Sequence, residues 1–240
     1  MGNLWIFGCS FSAEFDTYPY LGYDGNSNTW YRDWREDKTL PPVWSQIVGE
    51  KLGLNVINLA HAGSSNYKIF KSFCDNVDRI SENDVVIFEW SRVSRYNVEY
   101  DGNMTTMMPW ILTLDHQTNV SRKFISEMFV DRTERCWIDE IYGYMNFIKE
   151  HSLVTKNELY FWSADDVLIN SEPFQFKKDW KCLVPESNQD MMIYLMRKHG
   201  AKTISVETND EITDPEHYGE IGHKVQGDIF HKWILKYRNE

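Results

Sequence analysis

The chain has 240 residues and a net charge of −11, from 36 acidic and 25 basic side chains, and 42% of its residues are hydrophobic. This composition predicts one globular domain with a sizeable core and excludes a disordered chain. The acidic balance argues against nucleic acid or an anionic membrane surface as a partner. No long apolar run or leader-like N-terminus occurs, which predicts a cytoplasmic protein without a membrane span. Four scattered cysteines without a CxxC pair argue against a zinc site or a disulfide framework.

Short apolar segments rich in β-forming residues alternate with stretches of helical periodicity in the first 90 positions. We predict strands at Leu4–Phe7, Val56–Leu59 and Val85–Trp90, separated by helices at Val43–Leu52 and Ser65–Ile80. This alternation is typical of parallel strands joined by crossover helices.

The same alternation continues in the second half of the chain. We predict a helix at Ile138–Ile148, a strand at Leu159–Trp162, a helix at Gln189–Lys198, a strand at Thr203–Val206 and a last helix at Tyr218–Tyr237. Together these elements predict a three-layer α/β/α domain over residues 1–240, with a central, mostly parallel sheet of five strands.

Two segments depart from this pattern. Residues 14–42 are rich in aromatic side chains, among them Trp30 and Tyr31, and are too long for a simple strand-to-helix connection. We expect an ordered insertion over the site, whose rings either pack against the loop or form a substrate platform. Residues 95–123 mix methionines with polar residues and are predicted to be irregular.

A candidate nucleophile follows the first predicted strand, in Gly8-Cys9-Ser10. Sites in open α/β sheets form beyond the carboxyl ends of the strands, where Gly8 would permit a sharp turn. A serine there becomes a nucleophile when a base is near. Cys9 is the weaker candidate, because alternation along the strand would turn its side chain away from Ser10.

The candidate base lies just before the last helix, in Asp214-Pro215-Glu216-His217. This spacing lets the Asp214 carboxylate lie beside the His217 imidazole, as a catalytic triad requires. His61 and His223 are rival bases. We interpret His61 as a structural or substrate-facing residue, and His223 as a residue of the last helix that packs or faces solvent. No HxH or HExxH spacing supports a metal site.

These two blocks, in this order, resemble the SGNH or GDSL-type serine hydrolases. Gly8-Cys9-Ser10 matches the family's Gly-Asp-Ser block with Cys9 in place of aspartate, and Asp214 and His217 match its Asp-x-x-His block. The resemblance implies that Ser10 is the nucleophile, His217 the base and Asp214 its partner.

The resemblance also implies an oxyanion hole, the set of hydrogen-bond donors that holds the negative oxygen. The segment from Asn58 to Asn66 is similar to the family's second block, in which Gly63 would donate its N–H beside that of Ser10. The third block falls at Glu89-Trp90-Ser91-Arg92, where Ser91 stands in place of the family's asparagine. The Ser91 hydroxyl or the Asn66 side chain is then the further donor.

The activity implied is hydrolysis of an ester, most plausibly an O-acyl group such as acetyl on a carbohydrate or a small hydroxylated molecule. Trp30, Tyr31, Trp90 and Arg92 are candidate substrate contacts. No metal or organic cofactor is expected, and the oligomeric state is left open. Two alternatives remain: acyl transfer to an alcohol by the same triad, and a glycan- or protein-binding module with weakened chemistry.

Overall fold

The structure is a computed structural model that describes residues 2–14, 42–93, 95–100, 103–107, 134–163, 181, 183, 207–208, 211–212 and 220–240. The strands in these residues are β1 (Asn3–Phe7), β2 (Asn55–Asn58), β3 (Val85–Trp90), β4 (Tyr96–Tyr100), β5 (Asn103–Met107), β6 (Glu158–Ser163), β7 (Glu207–Thr208) and β8 (Glu211–Ile212). The α-helices are α1 (Trp44–Leu52), α2 (Asn66–Cys74), α3 (Glu134–Thr155) and α4 (Glu220–Arg238), and a 3-10 turn covers Val77–Arg79.

The main sheet is parallel, with strand order β2-β1-β3-β6. The first four predicted strands are therefore confirmed, and β1 and β3 are its central strands. Beyond β6, the Phe161 N–H donates to the Lys181 carbonyl oxygen (3.0 Å) and the Leu183 N–H to the Phe161 carbonyl oxygen (2.8 Å), the pattern of a further parallel partner. The predicted fifth strand at Thr203–Val206 and the predicted helix at Gln189–Lys198 lie outside the described residues.

Helices cover both faces of this sheet, as predicted for an α/β/α domain. On one face, Phe73 of α2 packs edge-on against Phe7 and Phe88. On the other, Trp44 of α1 packs edge-on against Trp162 of β6. Helix α1 also packs against α4, and α2 against α3. Neighbouring residues of a strand point to opposite faces of the sheet, and every residue of β3 is buried. The sheet therefore has an apolar contact with the helices on each of its two faces.

A buried carboxylate joins the starts of the two central strands. Asp84 accepts hydrogen bonds from the Asn3 N–H (2.7 Å), the Trp5 indole N–H (2.9 Å) and the Ser81 N–H (3.0 Å). Burial alone would raise the pKa of Asp84, but these hydrogen bonds to the charged form outweigh it and lower the pKa. Asp84 thus fixes β3 against β1 at the edge of the sheet opposite the site.

The helices end where local chemistry stops them. Helix α1 ends at Leu52, and the next residue, Gly53, caps it. Gly53 has a left-handed φ of 66° and donates its N–H to the Glu50 carbonyl oxygen (3.2 Å). Helix α2 ends at Cys74, earlier than the predicted Ile80. There the Asn76 side-chain amide donates to the Ser72 carbonyl oxygen (2.9 Å) and satisfies a carbonyl group at the end of the helix.

The segment predicted to be irregular contains a hairpin instead. Strands β4 and β5 are antiparallel, with Tyr100 opposite Asn103, so only two residues separate them in the sequence. Those residues are Asp101-Gly102, a dipeptide that favours the tight turns of hairpins. Strands β7 and β8 form a second, shorter antiparallel pair. Residues 15–41, which hold most of the predicted aromatic insertion, lie outside the described residues.

Candidate active site

Ser10 lies in a single helical turn at the carboxyl end of β1. We call residues 8–13 the nucleophile turn. The N–H groups of Ser12 and Ala13 both donate to the Cys9 carbonyl oxygen (3.1 and 3.0 Å), which closes the turn. Ser10 is buried, with 3% of its surface exposed. Its position between β2 and β3, at the middle of the sheet, is where sites of parallel α/β folds form.

Neighbouring elements anchor the nucleophile turn from several sides. The Trp44 indole N–H donates to the Phe11 carbonyl oxygen (3.1 Å), and the Asn58 side-chain amide to the Ser12 carbonyl oxygen (2.7 Å). The main-chain N–H of His61, in the loop after β2, donates to the Gly8 carbonyl oxygen (3.1 Å). The position of Ser10 is therefore set by α1, by β2 and by the loop that follows β2.

A fourth anchor is Glu89, a fully buried residue of β3. Its Oε2 accepts a hydrogen bond from the Cys9 N–H (3.0 Å), and its Oε1 lies against the Cys9 thiol (2.6 Å). Burial raises the pKa of Glu89 above its usual value, and the hydrogen bonds from Cys9, the Ser12 side chain and the positive charge of Arg95 offset only part of that rise. A buried carboxyl group thus lies directly under the nucleophile turn.

The Cys9 thiol is protonated in this environment. Burial, followed by the charge of Glu89, raises the pKa of Cys9 to about 12. A thiol becomes nucleophilic as the thiolate, so this pKa disfavours Cys9 as the nucleophile. The predicted separation from Ser10 is wrong, however, since the two side chains are adjacent, with Ser10 Oγ 3.9 Å from Cys9 Sγ. Strand alternation does not apply here because β1 ends at Phe7.

Gly8 is needed for space and not for an unusual turn. Among the described glycines, only Gly53 and Gly63 have a positive φ. A Cβ atom at position 8 would instead lie 2.6 Å from Oε2 and 2.9 Å from Cβ of Glu89. The absence of a side chain therefore lets β3 and its carboxylate approach the nucleophile turn, which corrects the predicted reason for this glycine.

The loop after β2 presents Gly63, the predicted oxyanion donor. Gly63 is exposed and has a φ of 77°, a backbone conformation that glycine adopts without strain. A Cβ atom there would meet no atom within 4 Å. Within the part of the chain that the structure describes, its N–H has no hydrogen-bond acceptor. That N–H is therefore available to a ligand.

Asn66 and Ser91 lie side by side, as the two predicted donors of the neighbouring loops. The Asn66 Oδ1 accepts from the Ser91 N–H (2.8 Å), and its Nδ2 donates to the carbonyl oxygens of Ser91 (3.2 Å) and Arg92 (3.4 Å). Asn66 therefore ties the start of α2 to the loop after β3. The Ser91 hydroxyl is buried and has no hydrogen-bond partner among the described residues.

Two of the four candidate substrate contacts lie within the described residues. Trp90 is fully buried, with its ring stacked near Phe88 and Phe161, and its contact with a substrate stays a prediction. Arg92 is half-buried in the loop after β3. Trp30 and Tyr31 lie outside the described residues.

The residues of the predicted acid–base pair, Asp214 and His217, also lie outside the described residues. Of the rival bases, His223 is buried in α4 and accepts the Trp44 N–H at Nδ1 (3.4 Å), a contact with the start of α1. His61 Nδ1 lies 2.8 Å from the carbonyl oxygen of its neighbour Ala62. Each of these two histidines therefore has a ring nitrogen within hydrogen-bond distance of a backbone group.

Glu89 is the residue that sequence reasoning missed. Its signal was present, since a single charged residue interrupts the apolar strand from Val85 to Trp90. Charged side chains are almost never fully buried unless they have partners. A glutamate in such a strand predicts a hydrogen-bonding partner across the sheet.

The described part of the chain holds no group of three or more His, Cys, Asp or Glu residues that could bind a metal ion. None of the helices in these residues is long and apolar enough to cross a membrane.

No family model matches the chain, and no curated protein matches it. Two solved structures resemble it along their whole length. One is described as a lipolytic protein of the G-D-S-L family from Desulfitobacterium hafniense DCB-2, with 12% identity, a TM-score of 0.47 and coverage of 97% of this chain and 99% of that one. The other is a lipase/acylhydrolase from Enterococcus faecalis, with 11% identity, a TM-score of 0.46 and coverage of 99% and 97%. At these sequence identities and TM-scores, neither structure bears on the chemistry of this site, which is inferred below from its own residues.

Proposed function

We propose that the chain is a serine esterase that hydrolyses an O-acyl ester, such as an acetyl ester of a carbohydrate or a small hydroxylated molecule. The observation that carries this proposal is the placement of Ser10. It lies at the centre of the carboxyl edge of a parallel sheet, on a turn that hydrogen bonds connect to three other elements. Such rigidity suits a nucleophile, whose attack depends on fixed geometry.

In the proposed reaction, Ser10 Oγ attacks the ester carbonyl carbon while His217 accepts the hydroxyl proton. Asp214 stabilises the resulting imidazolium, and His217 then returns the proton to the departing alcohol. Water, activated by His217, releases the acid from the acyl-enzyme in the second half of the reaction. Asp214 and His217 are given these roles on their spacing in the sequence.

The developing oxyanion would be held by the N–H groups of Ser10 and Gly63. The unpartnered Ser91 hydroxyl is the third donor, since Asn66 already uses both ends of its amide on the loop after β3. We therefore assign Asn66 to positioning that loop. One donor of this kind is typically worth about 10²–10³ in turnover.

The test is hydrolysis of p-nitrophenyl acetate and butyrate by wild type, Ser10→Ala and Ser152→Ala, with intact-mass detection of a fluorophosphonate adduct. Ser152 is the control because it is a half-buried serine of α3 whose hydroxyl bonds to Asn157, away from the nucleophile turn. We expect wild type and Ser152→Ala to turn over and to gain one adduct, and Ser10→Ala to do neither. An active Ser10→Ala would refute the assignment of the nucleophile.

Acyl transfer to an alcohol would use the same residues. Adding a polyol to the assay separates the two reactions, because a transferase would form an acylated polyol at the expense of free acid. A wild-type protein that neither turns over nor labels would instead favour the binding module.

A further inference from the structure

We infer that Glu89 is a positioning residue, which holds the nucleophile turn by its contact with Cys9 and thereby sets the geometry of Ser10. This inference rests on the proposed function and deepens it. Glu89 touches neither the Ser10 side chain nor, in the proposed reaction, the substrate. Its effect would pass through the main chain of the preceding residue.

The first step of the argument is the point at which β1 leaves the sheet. Strands β1 and β3 are paired up to Phe7 and Phe88. Immediately beyond that pair, the Cys9 N–H is buried and would lose its main-chain partner. The Glu89 side chain supplies the missing acceptor at 3.0 Å. A buried N–H without a partner is costly, so this contact decides where the turn can lie.

The second step is the cost of keeping a carboxylate at this position. Glu89 has no exposed surface, and burial of a charge is unfavourable unless partners compensate it. The partners are specific to the nucleophile turn: the Cys9 N–H, the Cys9 thiol and the space left by Gly8. Arg95, in the loop after β3, adds a favourable positive field. A leucine of similar size would fill the same space without any of these contacts.

The third step links the contact to catalysis. Ser10 directly follows Cys9, so a movement of the Cys9 peptide moves both the Ser10 hydroxyl and the Ser10 N–H. In the proposed reaction these two groups form the nucleophile and an oxyanion donor. A misplacement of about 1 Å at a reacting group can reduce turnover by about 10².

The experiment compares Glu89→Leu, which removes both acceptors, with Glu89→Gln, which keeps one acceptor for the Cys9 N–H. Asp84→Asn is the matched control, because Asp84 is also a buried, hydrogen-bonded carboxylate next to β3 but at the opposite edge of the sheet. The rate of fluorophosphonate labelling at Ser10 and the values of kcat and KM are measured on the folded fraction of each variant.

We expect Glu89→Leu to reduce kcat and the labelling rate by about 10², with KM within about twofold of wild type. Glu89→Gln should recover most of this loss, and Asp84→Asn should leave kcat unchanged. Labelling of Glu89→Leu at the wild-type rate would overturn the inference and leave the proposed function intact. If Glu89→Leu does not fold, Glu89→Ala takes its place, and labelling of Glu89→Ala at the wild-type rate would overturn the inference as well.

Amide hydrogen exchange gives a measurement that does not depend on activity. In Glu89→Leu, a peptide covering residues 8–14 should exchange faster than in wild type, whereas in Glu89→Gln it should exchange at close to the wild-type rate. A peptide from α3 should not change in either variant. A wild-type protein without labelling or turnover would reject the proposed function. The exchange result would then decide by itself whether Glu89 holds the turn, and unchanged exchange in Glu89→Leu would overturn that claim.

Discussion

Replacement of Gly8 by alanine perturbs the packing beneath Ser10 with a single methyl group. The new Cβ atom would lie 2.6 Å from Oε2 and 2.9 Å from Cβ of Glu89. Atoms in favourable contact are about 3.5–4.0 Å apart, so the Glu89 carboxylate would have to withdraw by roughly 1 Å. That movement would break the hydrogen bond from the Cys9 N–H, which is 3.0 Å long. The change therefore combines a steric clash with a lost buried hydrogen bond.

The energetic cost follows from these two effects. Overpacking of a core costs about 1–3 kcal/mol, and a buried N–H without a partner costs about 1–3 kcal/mol more. Alanine also makes the unfolded chain less flexible than glycine does, which stabilises the folded state by only about 0.4–1 kcal/mol. We expect the free energy of unfolding of Gly8→Ala to fall by about 1–5 kcal/mol. With a urea m-value of about 2 kcal/mol/M, the unfolding midpoint should fall by roughly 0.5–2.5 M.

Gly143→Ala is the control for this measurement. Gly143 lies within α3, and a Cβ atom there would meet nothing within 4 Å. Alanine is the better helix former, so this variant should gain up to about 1 kcal/mol. Urea unfolding followed by circular dichroism measures both variants. If Gly8→Ala unfolds at the wild-type midpoint while Gly143→Ala is raised, the close packing of Glu89 against the turn is refuted.

Gly63 and Gly53 both have a left-handed φ and open space around a Cβ atom. Alanine at either position should lower the free energy of unfolding by about 1–2 kcal/mol, but only Gly63→Ala should slow ester hydrolysis and labelling; equal turnover by the two variants would exclude Gly63 from the oxyanion hole. Because folding lowers the pKa of Asp84, its carboxylate stabilises the protein above about pH 4, and this stability is lost as the pH falls through the folded pKa. In urea titrations between about pH 2 and pH 7, the free energy of unfolding should therefore fall less steeply with acid in Asp84→Asn than in wild type. The variant should also be less stable at neutral pH by about 1–3 kcal/mol, and the same pH dependence in both proteins would contradict this role of Asp84. Iodoacetamide should modify the exposed Cys74 in the native protein but Cys9 only after unfolding, as mapped by peptide mass spectrometry, and early modification of Cys9 would contradict its burial.

The elements around Ser10 were predictable because their signals are local. The apolar strand before Gly8 and the strand Val85–Trp90 are each bounded by polar or turn-forming residues, and both are confirmed. The hairpin of β4 and β5 was missed although Asp101-Gly102 is a hairpin signal, since methionines and polar residues obscured the alternation around it.

The roles of individual residues were less predictable, because they depend on contacts between distant positions. Cys9 and Glu89 are 80 residues apart in the chain, so no local pattern pairs them. The need for Gly8 likewise arises from the neighbouring strand, and a sequence does not distinguish this need from a positive φ. Trp90 closes β3, and the stacking of its ring on Phe88 within the core is another contact that no local pattern specifies.

The contact between Cys9 and Glu89 also bears on what position 9 can carry. A thiol whose pKa is raised to about 12 stays protonated and leaves a single titrating carboxyl group under the nucleophile turn. An aspartate at position 9 would add a second carboxyl group, and two like charges about 4 Å apart repel by about 4 kcal/mol at an effective dielectric constant of 20. Two carboxyl groups in such contact share one proton, so the hydrogen bonds under the nucleophile turn would change with pH. Cys9 donates to Glu89 without adding a second charge.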